Sequence, residues 1–209
     1  MADWATISSL ATAGGTLVLA TATFAAVRSS NRAARAAEAS LQAGLRPLLV
    51  PSRLGDPPQR IGYADGKWVE AAGSAGVVEA TEANVYLAIS LRNVGNGIAV
   101  LDGWHFYPES SLQTDHAHLD EFTRLTVDLY VAPGDIGFWQ GTFRDPTSPD
   151  FAGAKAAAER RNWCMVEILY GDYEGGQRVV TRFALIPHEN GGWVATVARH
   201  WNIDRAAPR

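Results

Sequence analysis

Hydrophobic and polar positions divide the chain into two regimes. From Trp4 to Val27 there is no charged side chain over 24 residues. As an α-helix this run measures about 36 Å at 1.5 Å per residue. That length crosses a hydrocarbon core about 30 Å thick with some tilt, and a transmembrane helix is the leading reading. A helix packed in a larger assembly and a cleaved signal peptide are the alternatives, the latter disfavoured by Asp3 and the lack of Lys or Arg before the run. Ile7, Leu10, Leu17, Val18, Leu19, Phe24 and Val27 carry its hydrophobicity, diluted by Ala, Gly, Ser and Thr. Residues 28–44 keep the helical preference in a polar, alanine-rich stretch. Gly44 offers a C-cap and Pro47 bars continuation.

Beyond residue 46 the period shifts from helical to two. Val85, Leu87, Ile89 and Leu91 alternate with their neighbours, as do Leu125, Val127, Leu129 and Val131. This is the pattern of strands with one buried face. Further strands are expected over 47–50, 98–107, 136–143, 163–170, 178–186 and 192–201. A hairpin is expected around Gly73, pairing 67–71 with 76–80. Residues 54–66 hold Gly, Pro and Asp and read as a loop, and 151–161 is the one convincing helix of this half. The pattern therefore predicts a mainly β protein: a long N-terminal transmembrane helix, then a β-sandwich of about eight or nine strands with one short helix. A partly closed barrel is the other way to bury such strands. The domain division is 1–45, helix and basic stalk, and 46–209, β-sandwich.

Charge adds an orientation. Asp3 precedes the apolar run, whereas Arg28, Arg32, Arg35 and Arg46 follow it against Glu38. The positive-inside rule then places the N-terminus outside and the β domain in the cytoplasm, with the chain in the inner membrane. Trp4 suits an interfacial anchor, and Arg28, Arg32 and Arg35 flank the other membrane face. Of the net −4, Asp3 contributes −1 and residues 28–46 contribute +3, leaving −6 on the remainder. An acidic domain on a basic stalk fits a membrane-tethered module, and nothing in this balance points to nucleic acid. Small residues recur along one helix face at Ala11, Gly15, Ala22 and Ala25, with Val18 on the same line. In lipid such a face lets helix backbones approach, so these five residues are a candidate helix–helix contact and a route to a homo-oligomer.

Cys164 is the one cysteine, so no internal disulfide can form, and it sits in the apolar run Trp163-Cys164-Met165-Val166. Phosphate-loop, dinucleotide-binding and nucleophile-elbow patterns are absent from the sequence. No catalytic residues and no cofactor are assigned.

Two short runs carry a resemblance. Leu87-Ala-Ile-Ser-Leu-Arg-Asn-Val-Gly-Asn-Gly-Ile-Ala99 resembles the strand–turn–strand of bacterial immunoglobulin-like domains. Tyr170-Gly-Asp-Tyr-Glu-Gly-Gly176 resembles the final hairpin of bacterial proteins built as one membrane helix plus a β domain. The resemblance implies a fold and no activity, since a sandwich hosts many functions. Read from the residues alone, Gly95 and Gly97 can take positive φ where the chain reverses.

The run Asp115-His116-Ala117-His118-Leu119-Asp120-Glu121 contains an H-x-H-x-D core resembling the metal motif of metallo-β-lactamase-like hydrolases. His116, His118 and Asp120 are thus candidate metal ligands. Glu121 stands where that family has a second His, and the αββα strand–helix alternation of the family is missing. A solvated loop is the plainer expectation. Asp172 and Glu174, with Glu167 nearby, read as solvated turn carboxylates, and Arg160-Arg161 as a helix C-terminal pair. The tryptophans Trp68, Trp104, Trp139, Trp163, Trp193 and Trp201 are expected mainly in core packing. The function expected is a membrane-tethered, non-enzymatic interaction or scaffold module, whose partners are the lipid bilayer, an unidentified protein and a sister copy. The alternatives are a metal-dependent hydrolase and a ligand-sensing domain with a Trp-lined pocket.

Overall fold

The computed structural model describes residues 3–109, 113–189 and 191–204. The side chains of residues 4–7 and 11 lie outside that description, and with them the expected roles of Trp4 and Ala11. The chain divides into two compact units, Met1–Ala43 and Gly44–Arg209.

The first unit is α1 (Trp4–Gly44). Over Ser8–Gly44 it is long and apolar enough to cross a membrane. Leu10, Leu17, Val18, Leu19 and Phe24 are all more than two-thirds exposed. Its hydroxyls turn inward: Thr12, Thr16 and Thr23 donate to the carbonyls of Ser8, Thr12 and Leu19, and Thr21 to that of Val18, at 2.8–2.9 Å. A threonine bonded to its own helix needs no water, which makes it tolerable in hydrocarbon. Gly15, Val18, Ala22 and Ala25 are exposed on the helix surface.

The second unit is built on one antiparallel sheet. Its strands are β1 (Leu49–Pro51), β4 (Ala75–Ala80), β5 (Val85–Asn93), β6 (Ala99–Tyr107), β7 (Thr123–Val131), β8 (Ile136–Phe143), β9 (Cys164–Gly171), β10 (Arg178–Pro187) and β11 (Trp193–Asn202). Their order is β1-β5-β4-β11-β10-β9-β6-β7, with β8 also on β5. β4 and β1 pair successive parts of β5, residues 85–89 and 91–93, while β8 pairs 85–92. β1 and β4 therefore share one edge of β5 and β8 takes the other. Side chains from all nine strands meet in one core, among them Leu49, Val78, Leu87, Trp104, Val131, Trp139, Ile168, Phe183 and Trp193. The sheet is thus curled, its two halves facing each other as the layers of a sandwich do.

One mouth of this curl is covered by α2 (Pro149–Arg160), which turns Phe151, Ala154 and Ala157 into the core. Ser148 caps it by accepting from the Asp150 N–H, and Pro149 suits the first turn. Arg161 ends it in the left-handed region at φ 51°. Its guanidinium donates to the carbonyls of His188, Gly191 and Gly192 and lies over the Trp193 ring. Arg161 thereby fastens the β10–β11 turn, a larger role than the capping expected of it.

Four expectations are corrected. The stretch 54–66 contains a strand, β2 (Gln59–Gly62), which pairs β3 (Trp68–Ala71) in a separate two-stranded sheet. The hairpin expected around Gly73 is therefore absent: β3 pairs backwards to β2, and β4 pairs β5 and β11. Third, β5 is not one-faced. Tyr86 and Ala88, on the opposite side from Leu87 and Ile89, are buried with Ile61, Tyr63, Val69 and Val77 under the β2–β3 hairpin. Fourth, Gly95 and Gly97 do not take positive φ. They are glycines because the incoming chain lies against them. A Cβ on Gly95 would sit 2.3 Å from the Arg46 carbonyl oxygen, and one on Gly97 1.7 Å from that of Leu45. Asn93, fully buried, completes this junction. It accepts from the Leu48 and Gly95 N–H groups and donates to the carbonyls of Gly97 and Val131.

Candidate functional site

Two places on the domain gather chemistry. The first lies where β6, β9, β10 and β11 run side by side. Glu167 on β9 and Arg182 on β10 are opposite each other in register. Each sits mid-strand in an apolar run, and both are almost wholly buried, at 0% and 3% exposed. Arg182 Nη2 and Nε reach Glu167 Oε1 at 2.6 and 2.8 Å. The other carboxylate oxygen accepts from the Ala117 N–H at 2.9 Å, and the Tyr107 hydroxyl lies 3.4 Å away. The guanidinium still has donors to spare. It gives them to the carbonyls of Gln113 and Asp115, both at 2.7 Å, and stacks between Tyr107 and Trp201. Burial, then the Glu167 charge, raises the Tyr107 phenol above its ordinary value. A charged pair in low dielectric survives only when its remaining valences are met, and here a loop supplies them.

That loop carries the H-x-H-x-D run. The Glu167–Arg182 pair fixes its backbone from beneath. Of its three candidate ligands, His116 is engaged through its side chain. His116 Nδ1 lies 2.6 Å from the Ala117 carbonyl, and its ring meets Trp201 edge-on. The His118 N–H donates to Glu121 Oε2, and the exposed Asp120 sits in the 3-10 turn Leu119–Glu121. His105, Tyr107 and Glu121 join this loop around a shallow space of about 540 Å³. Among the described residues no three His, Cys, Asp or Glu side chains come together as a metal-holding set. What the structure assembles here is a clamp on a loop. Glu167, expected as a solvated carboxylate, is instead wholly buried; a mid-strand charge in an apolar run is the signal in the sequence, but nothing there pairs Glu167 with Arg182.

Other charged candidates are absorbed structurally. Asp172 accepts from the Gly176 N–H within its turn. Burial pushes the Cys164 thiol up to about 12. From His200 a hydrogen-bonded line runs through Thr181 and Tyr170 to the Leu49 N–H, with spacings of 2.7, 2.8 and 3.1 Å. It ties β11, β10 and β9 to β1.

The second place is the seam between β7 and β8. Both strands leave the turn at Pro133-Gly134-Asp135, where Gly134 takes φ 74°. At this end they pack closely, since a Cβ on Gly137 would lie 2.8 Å from Val131 Cγ2. Away from the turn the seam opens into a groove of about 670 Å³, within the range of ligand-sized clefts. The β2–β3 hairpin forms one wall. Trp104, 5% exposed, lies at its base, and Trp68, 57% exposed, stands at its rim with the Arg60 guanidinium 5.0 Å over its ring. Arg60, Arg124 and Arg144 line the groove, and no carboxylate does. Acidic residues stand on its flanks, among them Glu70 opposite Arg60 in the hairpin, Asp128 further along β7, and Asp65. The Asp65 carboxyl is held below its ordinary value mainly by the Tyr86 hydroxyl, with a lesser pull from Arg144.

The tryptophans thus divide. Trp104, Trp139 and Trp193 belong to the core, Trp68 to the groove, and Trp201 to the arginine stack, while Trp163 is half-exposed. Comparison with known protein families, with curated proteins and with solved structures finds no match to this chain.

Proposed function

We propose that this chain is a membrane-tethered, non-enzymatic binding module. Its helix lies in the inner membrane with the N-terminus outside, and its β domain works on the cytoplasmic face. The observation that carries the reading is the exposure of the apolar side chains of α1, Leu10, Leu17, Val18, Leu19 and Phe24. Burying a side chain of this size is worth about 1.5–3 kcal/mol, so a helix of this kind is covered by lipid or by protein. The self-satisfied threonines favour lipid. Charge asymmetry supports the orientation, with Asp3 on one side and Arg28, Arg32 and Arg35 on the other. The self-contained core of the β domain supports its role as the working end, and the β7–β8 groove supports binding, since arginines and aromatic side chains line it.

Alkaline carbonate extraction of cell membranes tests the tether. The full chain is expected to stay in the membrane pellet, and a Leu17→Asp/Leu19→Asp variant to be released. Release of the unmodified chain would overturn the reading.

A further inference from the structure

The groove between β7 and β8 is bounded by strand edges that carry no ladder. β7 pairs β6 and β8 pairs β5, and no register joins the two across the seam among the described residues. Along this opening β7 also departs from β6. Leu129 faces Leu101, but the next pair is Arg124 with Gly103, so residues 125–128 have no ladder partner on β6 either. Backbone donors and acceptors along such a stretch are a template for another strand. Gln140, on the groove wall, adds a buried side-chain oxygen that accepts no hydrogen bond among the described residues.

The side chains around the opening select the charge of what enters. Three arginines and no carboxylate line it, in a domain whose sequence is otherwise acidic. The Arg124 guanidinium makes no hydrogen bond or ion pair among the described residues, and neither does that of Arg144 beyond its distant pull on Asp65. The exposed Trp68 and Val127 provide apolar contact between the charges. We propose that this groove binds an extended, acidic segment of a partner protein by strand addition. The segment's main chain pairs with the free edges of β7 and β8, and its carboxylates meet Arg60, Arg124 and Arg144. A lipid headgroup would meet the same charges but would leave the strand edges unpaired. The inference rests on the reading of the chain as a tethered binding module.

The test uses the full chain in zwitterionic nanodiscs and a fluorescein-labelled peptide of about nine residues alternating Glu and Val, a typical strand length. Fluorescence anisotropy is expected to show saturable binding. Replacing Glu by Lys, or N-methylating alternate peptide bonds, should weaken it by about tenfold or more, and so should Arg124→Glu/Arg144→Glu at unchanged melting temperature. No binding at about 1 mM peptide, equal affinity for the Lys or N-methylated peptides, or full retention in the arginine variant would each overturn strand addition. Displacement of the peptide by phosphatidylglycerol vesicles with no sensitivity to N-methylation would assign the groove to anionic lipid and overturn it too. Flotation of the same protein with liposomes reads the tether separately. Flotation without peptide binding removes the strand-addition proposal and leaves the membrane reading standing. Peptide binding without flotation removes the tether and leaves the groove.

Discussion

Removing one member of the Glu167–Arg182 pair should be among the most damaging single changes available to the β domain. In Glu167→Gln the guanidinium stays, buried at 3% exposure, without its counter-charge. In Arg182→Met the carboxylate keeps only the Ala117 N–H and the distant Tyr107 hydroxyl, and the Gln113 and Asp115 carbonyls lose their donors. Breaking a buried pair from one side costs about 3–5 kcal/mol, because an uncompensated charge is left behind. At about 2–4 °C per kcal/mol for a domain of this size class, each single variant should melt roughly 6–20 °C lower. The double variant removes both charges. What remains is the loss of the Arg182 bonds to the loop carbonyls and of the stacking on Tyr107 and Trp201, about 1–3 kcal/mol in all, so its loss should be no greater than that of either single change. The two effects then fall short of additivity by about 3 kcal/mol or more. Thermal unfolding of the full chain and the three variants in mild detergent, followed by tryptophan fluorescence, measures the cycle. Single losses below about 1 kcal/mol, or additive ones, would refute the claim that the pair is a desolvated clamp.

Five further outcomes follow from particular contacts. Asn93→Ala strips partners from four backbone groups and should cost about 3–4 kcal/mol, and Gly97→Ala, whose Cβ would collide with the Leu45 carbonyl, about 2–3 kcal/mol; denaturation midpoints near that of the unmodified chain would contradict both. The Cys164 thiol, pushed up to about 12 by burial, should resist iodoacetamide at pH 8 in the folded protein and react on unfolding, as mass spectrometry would record. Asp56 and Asp204 are held below 3.8 chiefly by their hydrogen bonds to Arg92 and Arg178. The stability they contribute is present above about pH 4 and is lost as pH falls through their folded values, so Asp56→Asn/Asp204→Asn should flatten the fall of melting temperature between pH 4 and pH 2, and an unchanged slope would sink the assignment. Finally, Gly15→Leu or Ala22→Leu should abolish self-association of the chain in detergent if the small face of α1 packs helix on helix; an unaltered sedimentation profile would count against that contact.

How much of this was legible beforehand depends on what each residue faces. Strands with a wet side, such as β7, announce themselves by alternation, and the long apolar helix by its run of uncharged residues. β5 alternates as well, yet Tyr86 and Ala88 read as an outer face only because nothing local shows that a hairpin covers them. That hairpin begins in β2, whose Gln59-Arg60-Ile61-Gly62 has one buried apolar residue and lies among Pro and Asp. The turn glycines Gly95 and Gly97 were visible, but their cause was not, since it lies in the approach of residues 45–48. The H-x-H-x-D run drew attention by its residue types. The Glu167–Arg182 pair that organises it was hidden, because register between β9 and β10 is a long-range property. The groove was hidden for the same reason: it is made by the ladder that β7 and β8 do not form.

The most direct test of the central claim is cysteine accessibility in intact cells, in a Cys164→Ala background. One cysteine replaces Ala2 and another replaces Leu54, which is 86% exposed in the β domain. A tethered module with a cytoplasmic domain predicts that an impermeant maleimide labels the Ala2→Cys chain in whole cells and the Leu54→Cys chain only after lysis. Labelling of Leu54→Cys from outside would reverse the orientation. Labelling of neither before lysis, with the protein then soluble, would contradict the membrane anchor itself.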